Sequence, residues 1–207
     1  EEGNLTEDEM REGLHQTIQD QVFIPLFCTV ANKNIGVPRL MDFIAKYGSS
    51  PVDRASIKAK DVKSGEEVNV ALDGNDTVVH VFKTISEAHV GELSFFRVYS
   101  GSISTGMDLY NTSRGKTERF GQMFLMNGKN RMSVTKLNAG DIGAVVKLKD
   151  THTGNTLTGS NNKVILPSVK LPNSNIHLGI RSKAKGDEEK IAIGLATIHE
   201  EDGRAHV

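Results

Sequence analysis

The 207-residue chain has a single cysteine, Cys28. That excludes an internal disulfide, a disulfide-linked partner and any cysteine-rich zinc site. A thiol nucleophile would rest on one residue inside an apolar run, where a buried, inert thiol is the expectation. Prolines number only five and are scattered, while 37% of residues are apolar and 25% charged, a composition that excludes collagen-like and disordered chains. No stretch approaches the ~20 apolar residues of a bilayer span, so no membrane partner is expected. Glu1-Glu2-Gly3 has none of the features of a signal peptide, and the expected location is cytoplasmic.

Catalytic motifs are also lacking. No two of the seven histidines have zinc-ligand spacing on one predicted helix, so no metal site is expected, and no Gly-x-Ser-x-Gly elbow occurs. Gly115-Lys116-Thr117 resembles the end of a phosphate loop, but Tyr110 stands where the first glycine belongs. The segment Glu118 to Met126 reads as a strand, whereas such a loop needs a helix whose N-terminus faces the phosphate. Gly101 to Gly106 is a second near miss, with Met107 in place of the lysine, and reads as a hairpin turn. Asp187-Glu188-Glu189 and Glu200-Glu201-Asp202 flank a predicted exposed helix, where solvation is the expectation.

What is present divides into three parts. Thr6 and Glu9 make a capping box, and Met10, Leu14 and Ile18 form one helical stripe ending near Gln19. The continuous apolar run Val22-Phe-Ile-Pro-Leu-Phe-Cys28 predicts a strand buried on both faces in a parallel sheet. Pro38, then Leu40, Met41, Ile44 and Ala45, predict a second helix closed by Gly48. One strand cannot form a sheet, so the rest of this α/β unit is expected upstream of Glu1.

From Arg54 the apolar period changes to two, in Ile57 to Ala59, Val78 to Val81, Leu93 to Val98, Ile142 to Leu148 and Val164 to Leu166. Turn signals between these segments predict an antiparallel β-barrel over residues 54–169. Ile176, Leu178 and Ile180 then alternate as a strand, and Asp187 opens a helix with Ile191, Leu195 and Ile198 on one face. Residues 205–207 are expected to begin another strand.

The net charge of −1 hides an uneven distribution. Residues 1–50 carry eight acids and four bases, residues 51–171 twelve and sixteen, and residues 172–207 six and five. Within the basic middle, Arg114, Lys116, Arg119, Lys129, Arg131 and Lys136 are interleaved with Tyr110, Phe120 and Phe124, a pattern suited to phosphate contacts. A solvated strand face accounts for the same residues.

Pro25-Leu-Phe-Cys28 through Lys33-Asn-Ile-Gly36, Val90 through Gly101, Ala139-Gly-Asp-Ile-Gly-Ala-Val145, Lys149 through Leu157 and Lys185 through Lys190 closely resemble bacterial elongation factor G, in order and spacing. The resemblance covers nearly the whole chain. It implies a mainly β, multidomain central fragment. Residues 1–50 would be the helix-strand-helix end of a P-loop GTP-binding α/β domain, 51–53 a linker, 54–169 the second-domain β-barrel, and 173–207 the first strand and helix of a ferredoxin-like α+β domain.

The whole parent would bind GTP and GDP with magnesium and promote ribosomal translocation of tRNA and mRNA. No nucleotide is expected on the fragment, because the family's phosphate loop, magnesium ligands and switch segments lie upstream; the fragment is not expected to hydrolyse GTP. The barrel's implied partner is small-subunit ribosomal RNA, with Arg114, Lys116 and Arg119 as the contacts. The family's guanine-recognition loop has Ser-Ala where this chain has Val30 and Ala31. The family's backbone N–H at Ala31 helps read the guanine carbonyl, whereas Val30 lacks the serine hydroxyl. Two alternatives share these features: a sibling translational GTPase of the ribosomal-protection or release-factor type, and a non-hydrolysing ribosome-binding paralogue.

Overall fold

The computed structural model describes residues 3–87, 91–159, 163–168 and 175–202. They form two compact units, Glu1–Asp53 and Arg54–Val207.

In the first unit, helix α1 (Glu7–Gln19) begins at a complete capping box. Thr6 Oγ1 accepts the Glu9 N–H at 3.3 Å, and Glu9 Oε2 accepts the Thr6 N–H at 2.9 Å, which satisfies two donors that a helix start leaves orphaned. These bonds hold the Glu9 carboxyl below its usual range, the Thr6 backbone contributing most. Leu14 and Ile18 are half-buried, whereas Met10 remains exposed. Helix α2 (Val37–Tyr47) starts after Gly36, whose φ of +77° and close approach to the Cys28 carbonyl call for glycine. Pro38 sits in its first turn. Phe43 packs edge-on against Phe27 at 4.7 Å and tilted against Tyr47 at 4.8 Å.

The strand predicted over Val22–Cys28 does not form. The segment has no ladder partner among the described residues, and Val22, Ile24 and Leu26 are at least 80% exposed. A strand's N–H and C=O groups need a neighbour, and the apolar pattern supplies none. Cys28 is accordingly exposed rather than buried.

In the second unit the strands are β1 (Ser56–Asp61), β2 (Glu67–Ala71), β3 (Val78–Glu87), β4 (Gly91–Ser100), β5 (Ser102–Ser104), β6 (Asp108–Asn111), β7 (Lys116–Arg119), β8 (Met123–Asn127), β9 (Asn130–Val134), β10 (Lys136–Asn138), β11 (Ile142–Val146), β12 (Thr156–Thr158) and β13 (Val164–Ile165). An eight-stranded sheet runs β7-β6-β12-β3-β4-β11-β8-β9, beside a three-stranded sheet β13-β1-β2 and the pair β10-β5. All pairings are antiparallel, and the architecture is mainly β and barrel-like.

The main core gathers Val79, Val81, Phe96, Val98, Phe120 and Leu157, with Phe96 and Phe120 edge to face at 5.3 Å. Two irregularities in the β3–β4 register, one at Val81/Lys83, bend these long strands around it. A second cluster of Ala59, Val70, Val78, Val164 and Leu166 joins the smaller sheet to the larger.

The expected hairpin turn at 101–106 instead contains β5, paired with β10 from Ser102↔Asn138 to Ser104↔Lys136. Only Gly101 (φ +66°) and Gly106 (φ +83°) turn the chain. Of the third part, helix α3 (Glu188–Glu201) forms, but the strand read at Ile176, Leu178 and Ile180 does not; all three are more than 60% exposed and have no ladder partner among the described residues. Residues 171–174 and 205–207 lie outside the described residues.

Candidate nucleic-acid interface

Strands β6 and β7 carry the predicted cationic residues and also the polar groups that shape the neighbouring loop, residues 147–155. Period-two alternation turns Leu109 and Asn111 inward on β6, and Glu118 stands opposite Leu109 on β7, so it too faces inward. Asn111 is fully buried and Glu118 is 5% exposed. Such groups require partners.

The loop supplies them. Glu118 accepts the Asp150 N–H at 2.6 Å, the Lys149 N–H at 3.2 Å and the Thr151 hydroxyl at 3.2 Å. Asn111 Nδ2 donates to Thr151 Oγ1 and to Asn155 Oδ1, both at 3.0 Å, while its Oδ1 accepts the N–H groups of Ser113 and Arg114 at 3.1 Å. Asn155 Oδ1 also takes the His152 N–H, closing the turn on itself. A polar lattice therefore fixes the loop against β6 and β7.

The three predicted contacts occupy different surroundings. Lys116 donates to Asp150 Oδ1 at 2.6 Å across an exposed pair. That hydrogen bond, with the Lys116 and Arg114 charges and His152 nearby, keeps the Asp150 carboxyl below its usual range. Arg119 lies 4.0 Å from Asp108, its cross-strand partner. Arg114 lines a cavity of about 680 Å³ together with His80, Lys83, His152, Asn155 and Glu200. Thus β7 and the turn before it carry all three, but strand alternation sets Lys116 opposite Asn111 and Arg119 opposite Asp108 on different faces, each cation beside an acid. Arg131 pairs with Glu87 on β3, and Lys163 sits 4.4 Å over the Tyr110 ring.

The local sequence places Glu200 in solvent at an exposed helix end, but its side chain is only 15% exposed and faces His152. The helix end reaches the barrel, a tertiary contact that its local polarity cannot reveal. Sequence reasoning also passed over Asn111 and Glu118. The available signal was the same alternation that buries Leu109. Among the described residues, no group of three or more His, Cys, Asp or Glu is gathered to hold a metal ion.

In the first unit, Val30 and Ala31 lie in a loop closed by a Val30–Ile35 bridge. Val30 uses its N–H on the Ile35 carbonyl, and its carbonyl takes the Lys33 and Ile35 N–H groups. Its side chain offers no hydrogen bond. Both backbone groups of Val30 are thus engaged within the loop.

Residues 76–160 match the family model described as elongation factor G domain 2. A crystal structure of a protein from Thermus thermophilus has the same fold, with a TM-score of 0.76 at 22% identity. That match covers 97% of this chain and 28% of the other. Residues 76–160 are thus similar to elongation factor G domain 2, and the chain shares its fold with part of a longer protein, of which it spans 28%.

Proposed function

We propose that this chain is the central part of an elongation-factor-G-like GTPase whose barrel docks on small-subunit ribosomal RNA. The whole protein would work in the cytoplasm, binding GTP or GDP with magnesium and promoting translocation of tRNA and mRNA. In this reading residues 1–50 end the GTP-binding domain, 51–53 link it to the barrel of 54–169, and 173–207 open a ferredoxin-like domain. The observation that carries the proposal is the family match over residues 76–160, which includes β6, β7 and the loop they fix.

Arg114, Lys116 and Arg119 would position RNA by phosphate contact, which needs positive charge rather than base recognition. The acids beside Lys116 and Arg119 would set the strength of that contact. The proposal is tested by titrating the 207-residue chain with small-subunit ribosomal RNA at several salt concentrations. Binding should weaken with salt, and the triple variant R114Q/K116Q/R119Q should flatten the logarithmic slope by roughly 0.7 to 0.9 for each phosphate no longer neutralised. An unchanged slope in that variant overturns these contacts.

Val30 favours a second reading, a ribosome-binding paralogue that does not hydrolyse GTP, because it removes a side-chain hydrogen bond from the guanine loop. RNA binding by the parent that is indifferent to added nucleotide supports it; nucleotide-dependent binding supports the GTPase.

A further inference from the structure

Helix α3 has no buried residue among those described, and Ile193 and Ile198 are 62% and 51% exposed. Apolar burial therefore does little to hold it to the barrel. Its C-terminal turn instead presents Glu200 and Glu201, where the helix dipole disfavours negative charge. Both carboxylates find barrel donors. Glu200 Oε2 accepts from His152 Nδ1 at 2.7 Å, and its Oε1 accepts the Thr153 N–H at 3.1 Å. Glu201 Oε1 accepts the Ser86 N–H at 2.6 Å, at the end of β3.

We propose that Glu200 and Glu201 form a detachable clasp that fastens α3 to the barrel, with the His152 ring and the Thr153 and Ser86 N–H groups as its barrel half. A carboxylate only accepts, so the ring nitrogen facing Glu200 carries the hydrogen. Releasing the clasp exchanges polar contacts for water and exposes little apolar surface, which suits a joint that opens and closes.

Other charged groups face this joint. The barrel contributes Arg114, Asp150, His80 and Lys83, and α3 contributes His199 and Asp202.

Hydrogen exchange at single amides of the 207-residue chain tests the clasp. Glu200→Gln should lower protection of the Thr153 N–H about tenfold, and Glu201→Gln should do the same at Ser86, as loss of a charge-assisted bond requires. The Val98 N–H, bonded to the Asp141 carbonyl inside the barrel, should keep its protection in both. His152→Phe, which removes the ring donor to Glu200, should likewise lower protection at Thr153 and leave Val98 unchanged. Changes within twofold at Thr153 and Ser86, or an equal loss at Val98, overturn the clasp.

Discussion

Glu118 Oε1 accepts the backbone N–H of Asp150 at 2.6 Å, joining a buried position on β7 to a loop 32 positions away. The same carboxylate holds Lys149 and Thr151, so one side chain satisfies three donors. Glu118→Ala strands those donors in a region short of water. The expected loss is about 2–4 kcal/mol of folding stability, read as a lower urea midpoint. Glu118→Gln, which keeps one accepting oxygen, should lose less.

Asp150 competes with any phosphate for Lys116. Asp150→Asn removes the competitor without altering the loop's backbone bonds. Affinity of the 207-residue chain for small-subunit RNA should rise, with a salt slope steeper by about one phosphate contact, roughly 0.7 to 0.9. The native Asp150 carboxyl lies below its usual value, so its pairing stabilises the fold above the unfolded-state pKa of about 3.9 and is lost as pH falls through the folded value. The wild type should therefore lose this contribution only in strong acid, and Asp150→Asn should lack it in urea melts taken from pH 5 downward.

His80 is 6% exposed, and burial holds its imidazole below the ordinary histidine value. The unfolded chain takes up the proton first, near pH 6.5. Stability therefore falls as pH drops below that point and levels off below the folded value. His80→Phe keeps an aromatic edge toward Tyr99, whose ring centre lies 6.4 Å away. It should reduce the stability lost between pH 7.5 and pH 5.5 by up to about 1.4 kcal/mol, measured by urea unfolding at both.

Gly101 and Gly65 separate backbone strain from crowding. Both have positive φ, +66° and +72°, but a Cβ on Gly65 meets nothing within 4 Å, whereas one on Gly101 lies 3.0 Å from the Asp76–Thr77 backbone. Gly65→Ala should cost about 1–2 kcal/mol from its left-handed backbone alone. Gly101→Ala should cost a further ~1–3 kcal/mol, because backbone atoms cannot swing aside. Thermal melts of the two variants in parallel check the difference.

Local chemistry made several elements legible in the chain. The capping box at Thr6 and Glu9, the helix from Asp187 and the existence of strands near Val78 and Ile142 all follow from near neighbours, although Val78–Val81 and Gly143–Val145 are buried at consecutive positions rather than alternating. The cationic character of Arg114, Lys116 and Arg119 was equally plain, as was the likeness to elongation factor G in the segment its family model matches. Their electrostatic surroundings were not. Asp150 reaches Lys116 only after Glu118 and Asn111 have shaped the loop, and those two are ordinary polar letters until their strands pair.

The same division explains the segments that departed from expectation. An apolar run such as Val22–Cys28 determines what the chain can bury, but a strand exists only where another backbone completes its hydrogen bonds. Glu200 and Glu201 read as solvated acids because their barrel donors lie far away in the chain. Sequence by itself determined helix starts, alternation and the sign of the charge, since each depends on residues a few positions apart. Tertiary structure alone decided which polar groups meet, because hydrogen bonds act over about 3 Å and distant segments reach that range only when the barrel closes.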